Sequence, residues 1–186
     1  MSDPVGLAEA VLGGGCRWLQ VRWKGGTEAE VVSLARILVA TARPRGAKVL
    51  VNDRAAWAVA ADADGAHIGP LDGDLGEARA QLGPTRILGA TTSTPHAVEA
   101  ALGLVDYVAC GPVWATPHLS RPKPVVGLDG VRQIVACAAG RVPVVAIGGI
   151  DAERLPAVRA TGVDAWAVVR AISEAPDPGQ MARAMA

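Results

Sequence analysis

The chain has 186 residues, with 18 Lys plus Arg against 18 Asp plus Glu, and 51% of its residues are hydrophobic. We expect a single domain over residues 1–186, because this length supports one well-formed core and the composition excludes a disordered chain. Zero net charge argues against general nucleic-acid binding and against attachment to an anionic membrane surface. No apolar run reaches the length of a membrane span.

The cysteines favour a reducing compartment. Cys16, Cys110 and Cys137 are odd in number and form no C-x-x-C pair, which argues against a disulfide framework or a zinc site. The N-terminal sequence Met-Ser-Asp-Pro lacks the basic and apolar segments of a secretory signal. Together these observations predict a cytoplasmic protein.

Short apolar runs rich in Val, Ile and Trp alternate with longer stretches that carry apolar residues at helical spacing. A first helix is predicted over 5–12, before the first strand, and the stripe from Val31 to Val39 is the clearest helical pattern. Helix starts are indicated at Thr27, at Thr94-Pro95 and at Asp151. The predicted strands are 18–23, 48–52, 65–69, 86–91, 107–111, 143–148 and 165–169.

This alternation determines the predicted fold class. Strands that alternate with helices are expected to be parallel, with right-handed crossovers, in a sheet buried on both faces. Seven predicted strands and eight predicted helices, beginning with a helix, indicate an α/β protein of the TIM type, a (β/α) barrel that lacks its first strand. The alternative is an open doubly wound sheet. In both architectures ligands bind at the carboxyl ends of the strands.

The first predicted strand carries polar residues that indicate an anionic ligand. Gln20, Arg22 and Lys24 lie at i, i+2 and i+4, so a period of two residues places them on one face. Polar groups on the inner face of a buried strand are costly unless a partner satisfies them, and two of these three are cations. The alternative is a solvated edge strand.

Two carboxylates follow the next two predicted strands. Asp53 comes after the second strand and Asp72 after the third. Beside the Arg/Lys pair they fit a Mg²⁺ site, because Mg²⁺ is bound by one or two carboxylates together with substrate phosphates. Each also has a structural explanation, since Asp53 would cap a helix that starts at Arg54 and Asp72 would belong to a turn.

The last two strands end at turns that are suited to phosphate. Gly148-Gly149-Ile150 precedes a helix, and Val169-Arg170 begins another helical stretch. Glycine lets backbone N–H groups approach a ligand, and phosphate sites after the last strands recur in β/α barrels. The alternative is a tight turn that needs glycine for packing.

Other polar residues are weaker candidates. Thr91 ends the fourth predicted strand, although hydroxyls in the 91–94 run also serve as helix caps. His67 is expected in the core and His96 on a surface helix. His118 lies in the Pro-rich loop 111–127 and is a candidate to reach the site.

Several of these motifs occur together in one order along the chain. They are Gln-Val-Arg-Trp-Lys-Gly-Gly at 20–26, Val-Asn-Asp-Arg at 51–54, the segment 63–69 with Asp72, Leu-Gly-Ala-Thr at 88–91, and the segments 106–116, 146–150 and 168–172. In this order they resemble the thiamine phosphate synthase family over nearly the whole chain. The resemblance implies a β/α barrel transferase that joins 4-amino-5-hydroxymethyl-2-methylpyrimidine diphosphate to thiazole phosphate, uses Mg²⁺ and releases pyrophosphate.

The resemblance also implies a role for each matching residue. Arg22, Lys24 and Thr91 are the implied catalytic residues, and Asp53 and Asp72 are the implied Mg²⁺ ligands. The pyrimidine diphosphate is contacted by Gln20, Arg22, Lys24, Asn52 and Thr91. The phosphate loop includes Thr116, and the thiazole phosphate is held through the backbone of Gly149, Val169 and Arg170.

The phosphate loop departs from the family pattern. The family has Thr-x-Thr-Lys where this chain has Thr-Pro-His-Leu at 116–119. Lys123 is expected to replace the missing lysine in holding the diphosphate, with Arg121 and His118 as alternatives from the same loop. The acidic residue that the family has between the Arg and the Lys is Trp23 here.

Two other functions remain open. A thiazole tautomerase of the same superfamily lacks the metal pair and typically has a catalytic histidine where this chain has Pro112, so Pro112 and Asn52-Asp53 favour the synthase. A non-catalytic relative that binds a phosphorylated ligand is favoured by the absent first strand and the altered loop. The expected partners are the phosphorylated pyrimidine and thiazole, without nucleic acid or membrane, and a homo-oligomer is an open alternative.

Overall fold

The computed structural model describes residues 3–116 and 124–186. The strands are β1 (Trp18–Val21), β2 (Lys48–Asn52), β3 (Gly65–Ile68), β4 (Ile87–Thr91), β5 (Tyr107–Cys110), β6 (Val144–Ile147) and β7 (Ala165–Ala167). The helices are α1 (Pro4–Gly13), α2 (Glu28–Ala42), α3 (Ala55–Ala60), α4 (Leu75–Leu82), α5 (Pro95–Ala101), α6 (Gly127–Ala138), α7 (Leu155–Arg159), α8 (Arg170–Ser173) and α9 (Pro178–Ala184). A short 3-10 helix over Arg43–Arg45 follows α2.

All seven predicted strands are present, and they form a parallel sheet in the order β1-β2-β3-β4-β5-β6-β7. An order that follows the chain is the arrangement of a β/α barrel, whereas a doubly wound sheet reverses its order at a switch point. The topology therefore confirms the parallel β/α architecture and argues against the doubly wound alternative.

The first of two compact units comprises the described residues up to Leu88 together with Ile172–Ala186. Its longest helix, α2, begins at the predicted start, where Thr27 and Glu30 form a capping box. The buried face of α2 packs against β1 and β2, and α1 packs against α9. These contacts place the connections that follow β1, β2 and β3 in one unit with a common core.

The second compact unit is Gly89–Ala171. In this unit β5 is buried along its whole length, and a Cβ on Gly89 would overlap the phenol ring of Tyr107. The helices α5 and α6 pack together, and Thr94 caps α5 by accepting a hydrogen bond from the N–H of Ala97 at 3.2 Å. The predicted helix start at Thr94-Pro95 is thus confirmed.

The strands at the two ends of the order are shorter and more exposed than the sequence predicts. β1 ends at Val21 rather than at residue 23, and β7 ends at Ala167 rather than at residue 169. β3 and β5 are buried throughout, whereas most residues of β1 and β7 are exposed or half-buried. The prediction of burial on both faces is confirmed for β3 and β5 and wrong for β1 and β7. None of the described helices combines the length and apolar character that crossing a membrane requires.

Candidate active site

Asp53 follows β2 directly and adopts a backbone conformation that is unusual for a residue with a side chain. Its φ angle is +70°, in the left-handed region. Its N–H donates to the carbonyl oxygen of His67 in β3 at 2.8 Å. The predicted alternative, a helix cap, is wrong, because α3 begins at Ala55 without a side-chain cap hydrogen bond in the described structure. Aspartate tolerates this region better than most residues, and Asp62 adopts it as well, so the case for a functional role of Asp53 rests on its contacts.

Lys24 links the two predicted metal ligands. Its Nζ donates to the carboxylate of Asp53 and lies 3.9 Å from Oδ1 of Asp72. The side-chain amide of Asn52 also donates to Asp53. The side chain of Lys24 is 53% exposed, whereas those of Asp53 and Asp72 are 18% and 27% exposed. The structure thus brings Lys24, Asn52, Asp53 and Asp72 together, as the sequence predicts, with the carboxylates partly sheltered from water.

Asp72 lies in a turn after β3 and is held close to a second carboxylate. Its N–H donates to the carbonyl of Gly69 at 3.1 Å, so the turn explanation is correct for its backbone. Burial, followed by the adjacent carboxyl of Asp53, raises the pKa of Asp72, while Lys24 and the N–H of Gly69 oppose that shift. Two neighbouring carboxylates that share one lysine favour an additional cation beside them.

The donor set at this position is limited to the two carboxylates. Within residues 3–116 and 124–186, no group of three or more His, Cys, Asp or Glu side chains is placed to hold a metal ion. A metal bound here would therefore need oxygen atoms from another source to complete its coordination. Mg²⁺ behaves in this way, since it commonly takes one or two protein carboxylates and fills its remaining positions with water and substrate phosphate.

The predicted common face of Gln20, Arg22 and Lys24 is wrong. β1 ends at Val21, so Gln20 lies in a strand while Arg22 and Lys24 belong to the connection that leads to α2. Gln20 is exposed, which matches the alternative of a solvated edge strand. Arg22 is also exposed and makes no hydrogen bond or ion pair within the described part of the chain. Its guanidinium is therefore available to an anion. This availability comes from its exposed position after β1 and not from the inner face of a strand, as the sequence predicted.

In the second unit, the turn after β6 is held by backbone hydrogen bonds. Gly148 and Gly149 have φ angles of +98° and +72°. The N–H groups of Val113 and Trp114 donate to the carbonyls of Ile147 and Gly148 at 3.0 and 3.1 Å. A Cβ on Gly149 would lie 2.7 Å from Cβ of Trp114, so both the backbone angle and the packing require glycine. This supports the tight-turn alternative without opposing a phosphate site at the same amides.

The helices after β6 and β7 are too short to supply a useful helix dipole. α7 has five residues and α8 has four. Asp151 accepts a hydrogen bond from the N–H of Arg154 at 2.9 Å, so the predicted cap is present, but α7 itself begins only at Leu155. Val169 is 64% exposed and Arg170 is exposed as well. A phosphate site here would depend on backbone amides and on Arg170 rather than on a dipole.

The hydroxyl residues at 91–94, at the end of β4, differ in their hydrogen-bond partners. Thr91 is half-buried at the end of the strand, and Ser93 donates from Oγ to the carbonyl of Gly111 at 3.0 Å. Thr94 is the helix cap described above. Thr92 is 3% exposed, and its hydroxyl lacks a hydrogen-bond partner among the described residues. The sequence does not distinguish Thr92 from the other hydroxyl residues of this run, because burial of one hydroxyl depends on the tertiary structure.

The phosphate loop is only partly described. Thr116 is half-buried. The candidate replacements for the family's lysine lie outside the described residues and stay predictions; they are Lys123, Arg121 and His118. Of the other histidines, His67 is 6% exposed and His96 is exposed, which confirms both predictions.

One further residue at the Gly148-Gly149 turn was missed. Nη1 of Arg154 donates to the carbonyl of Gly149 at 2.7 Å, and Cζ of Arg154 lies 5.1 Å from the ring centroid of Trp114. Arg154 carries no sequence signal that distinguishes it from the other arginines, and Trp114 is distant from it along the chain. Only the folded structure shows that the three residues are in contact.

These features define a class of protein. Parallel strands in chain order, with cations and carboxylates after their carboxyl ends, are the features of a barrel-type β/α protein whose charged residues are concentrated at the ligand-binding end. The pairing of two carboxylates with Lys24, and the exposed Arg22 near the start of α2, make an anionic ligand the natural expectation.

Comparison with known proteins identifies the family. The family model described as "Thiamine monophosphate synthase" matches residues 2–172. The thiamine-phosphate synthase of Bacteroides fragilis is 40% identical over 176 residues, which cover 92% of this chain and 86% of that protein. The thiamine-phosphate synthase of Mycolicibacterium vanbaalenii is 43% identical over an alignment of 195 positions, covering 99% of this chain and 86% of that protein. The chain belongs to the thiamine monophosphate synthase family and is a thiamine phosphate synthase-like transferase.

Solved structures agree with this assignment. Thiamine phosphate pyrophosphorylase from Pyrococcus furiosus has a TM-score of 0.89 at 32% identity, over 98% of this chain and 87% of that one. Orotidine 5'-phosphate decarboxylase from Pyrococcus horikoshii has a TM-score of 0.71 at 15% identity, over 97% of this chain and 90% of that one, and shows the fold alone. The predicted TIM-type α/β fold is confirmed.

Proposed function

We propose that this chain is a thiamine phosphate synthase, which joins 4-amino-5-hydroxymethyl-2-methylpyrimidine diphosphate to thiazole phosphate and releases pyrophosphate. The observation that carries the proposal is the contact of Lys24 with both Asp53 and Asp72 after the carboxyl ends of β2 and β3. A pair of carboxylates with one shared cation is suited to a metal-bound diphosphate. The identity of the two substrates is inferred from membership of the family.

The chemistry and burial of the Asp53 and Asp72 carboxylates fit a bound Mg²⁺ ion. Both are hard oxygen donors, both are partly sheltered, and burial followed by the neighbouring Asp53 raises the pKa of Asp72. Asp53 and Asp72 would hold the ion. When bound, Mg²⁺ supplies positive charge that stabilises the diphosphate as a leaving group.

The protein's own side chains act on the leaving group. In the proposed reaction the bond between the pyrimidine methylene carbon and the diphosphate oxygen breaks, and its electron pair departs with pyrophosphate. Arg22 and Lys24 bind the oxygens where negative charge develops, and the amide of Asn52 donates a hydrogen bond beside them. Gln20 contacts the pyrimidine.

The second half of the reaction needs positioning rather than proton transfer. The electron-rich aminopyrimidine stabilises the positive charge on its methylene carbon, and the thiazole nitrogen attacks that carbon to form the new C–N bond. The attacking nitrogen carries no proton, so no general base is required, which agrees with the lack of an evident one in the sequence. Holding the two reactants in place supplies the remaining acceleration.

The resemblance also assigns roles to residues of the second unit. Thr91 is assigned to the pyrimidine diphosphate, and Thr116 and Lys123 to the phosphate loop. The thiazole phosphate is assigned to the backbone amides of Gly149, Val169 and Arg170. The N–H of Gly149 has no hydrogen-bond partner within the described residues, as this role requires.

The decisive experiment supplies both substrates with and without Mg²⁺ and quantifies thiamine phosphate and pyrophosphate. We expect equal amounts of the two products, and only when the metal is present. Binding of thiazole phosphate without turnover would contradict the proposal in favour of a non-catalytic relative. Metal-independent isomerisation of the thiazole would contradict it in favour of a tautomerase.

Three expectations about the protein's context accompany this proposal. We propose a cytoplasmic enzyme with one domain over residues 1–186, as the cysteine count and the length predict. A homo-oligomer is tested by sedimentation at several protein concentrations. None of these three expectations alters the roles assigned to Arg22, Lys24, Asp53 and Asp72.

A further inference from the structure

We propose that Arg154 is a positioning residue that fixes the direction of the backbone N–H groups in the turn after β6, and thereby sets the affinity for thiazole phosphate. This inference rests on the proposed function, since it assigns thiazole phosphate to those amides. Arg154 is not a catalytic residue in this proposal. It acts through the peptide group between Gly149 and Ile150.

Three consecutive carbonyl groups in this turn are held. Those of Ile147 and Gly148 accept hydrogen bonds from backbone N–H groups, as described above, and that of Gly149 accepts from Nη1 of Arg154 at 2.7 Å. A peptide group is planar and trans, so each N–H points opposite to the carbonyl of the preceding residue. Fixing these carbonyls therefore directs the N–H groups of Gly148, Gly149 and Ile150 to the other side. The N–H groups of Gly149 and Ile150 have no partner within residues 3–116 and 124–186, whereas that of Gly148 faces β7, where Ile147 pairs with Ala167.

Of the three carbonyl groups, only that of Gly149 is held by a side chain among the described residues. The carbonyls of Ile147 and Gly148 are held by the backbone of the β5–α6 connection, whereas the carbonyl of Gly149 is held by a side chain. Gly149 has a φ angle of +72°, and glycine has access to a wide range of backbone angles. Without Arg154 the carbonyl of Gly149 loses the hydrogen bond that fixes the plane of the Gly149–Ile150 peptide. The N–H of Ile150 would then lose its fixed direction.

Arg154 is itself held in place. Its backbone N–H donates to Oδ1 of Asp151 at 2.9 Å, and its Nη1 lies 3.6 Å from Oδ2 of the same residue. Its guanidinium lies over the ring of Trp114, with 5.1 Å between Cζ and the ring centroid. Trp114 in turn packs against Gly149. The side chain thus contacts the carbonyl side of the turn, opposite to the side to which the N–H groups point.

The experiment compares Arg154→Gln and Arg154→Lys with Arg159→Gln. Arg159 is a matched control, because its Cζ also lies over a tryptophan ring, at 4.6 Å from the centroid of Trp166. The hydrogen bond to the carbonyl of Gly149 comes from Arg154 and not from Arg159. In the two-substrate assay we expect Arg154→Gln to raise KM for thiazole phosphate about tenfold. KM for the pyrimidine diphosphate and kcat should stay within about twofold, Arg154→Lys should recover part of the loss, and Arg159→Gln should match the wild type.

Other results would overturn the inference. An unchanged KM for thiazole phosphate in Arg154→Gln would do so, as would equal losses for both substrates, which indicate general damage to the fold. If the wild type binds thiazole phosphate in a calorimetric titration but does not turn over, the proposed reaction fails, while the same comparison of dissociation constants still tests Arg154. If the wild type neither turns over nor binds thiazole phosphate, both proposals are wrong.

Discussion

Two charged clusters lie at opposite ends of the same two strands and use the same kinds of residue. The amino-end cluster consists of Arg43, Lys48, Asp62, Asp64 and Arg86. The carboxyl-end cluster consists of Lys24, Asn52, Asp53 and Asp72. Lys48 begins β2 and Asp53 follows it, while Asp64 precedes β3 and Asp72 comes after it. Both clusters belong to the first compact unit, so they are compared within one body.

In the amino-end cluster the cations outnumber the carboxylates. Lys48 pairs with Asp64 at 2.8 Å, and Arg43 and Arg86 pair with Asp62 at 3.0 and 3.3 Å. The hydrogen bond and charge of Arg43, followed by those of Arg86, lower the pKa of Asp62 despite the opposing effect of burial. Every carboxylate has a cation of its own. Such a cluster is complete as a structural ion-pair network.

In the carboxyl-end cluster the carboxylates outnumber the cation. Lys24 is shared by Asp53 and Asp72, and the pKa of Asp72 is raised rather than lowered. The two clusters therefore differ in the direction in which the protein shifts a carboxyl pKa. Burial is the first cause of the raised pKa of Asp72 and the adjacent Asp53 is the second. The two carboxylates that share Lys24 are therefore better suited to a ligand cation than the fully paired Asp62 and Asp64.

The largest expected effect is on kcat/KM, when the same Asp→Asn substitution is made in each of the two clusters. Asp53 and Asp62 both have left-handed φ angles, of +70° and +52°, which asparagine tolerates. We expect Asp53→Asn to lower kcat/KM by about a hundredfold or more, because a proposed Mg²⁺ ligand is lost. Asp62→Asn should stay within about twofold of the wild type. Equal losses in the two variants would show that the clusters are not functionally distinct.

The next effect concerns the two lysines of the first unit. We expect Lys24→Met to lower kcat/KM by roughly ten- to a hundredfold, because it removes a cation from the proposed leaving-group site. Lys48→Met should alter the melting temperature and leave kcat/KM close to that of the wild type. Steady-state kinetics with both substrates, together with thermal melts of each variant, measure the difference. An inactive Lys48→Met that still melts at the wild-type temperature would refute the comparison.

The contents of the carboxyl-end cluster were predictable from the sequence, but its geometry was not. Asn52 ends a predicted strand and Lys24, Asp53 and Asp72 follow predicted strands, and carboxyl ends of parallel strands meet at one edge, so their proximity follows from topology alone. The placement of Lys24 was argued from a strand period that does not apply, because β1 ends at Val21. A loop, not the pleat, carries Lys24 to the carboxylates.

Backbone strain and tertiary hydrogen bonds were beyond the reach of the sequence. Nothing in the Asn-Asp-Arg segment distinguishes a left-handed Asp53 from an ordinary helix cap. The contact of Arg154 with Gly149 depends on a side-chain conformation that Trp114 supports from another loop. By contrast, β2 and the caps at Thr27 and Thr94 were predicted correctly, because local hydrogen bonding and hydrophobic pattern determine them.

A metal titration tests the same comparison without catalysis. In the presence of pyrophosphate, Mg²⁺ at ten times its dissociation constant should raise the melting temperature of the wild type by about 3–6 °C. Asp62→Asn should keep this rise, and Asp53→Asn should lose it. An equal rise in both variants would show that Asp53 does not contribute to metal binding.

The smallest effect is the difference in stability of the two clusters without metal or substrate. Because the folded pKa of Asp72 is raised, its ionisation destabilises the folded state above that pKa, and the penalty disappears as pH falls below the ordinary value of 3.8. Asp72→Asn should therefore raise the melting temperature at pH 7 by about 1–3 °C while it abolishes turnover. Asp62 has a lowered pKa, so its contribution is present above the ordinary carboxyl pKa and is lost as pH falls through the lowered one. Asp62→Asn should thus lower the melting temperature at pH 7, and a shift of the same sign in both variants would contradict the charge balance inferred for the two clusters.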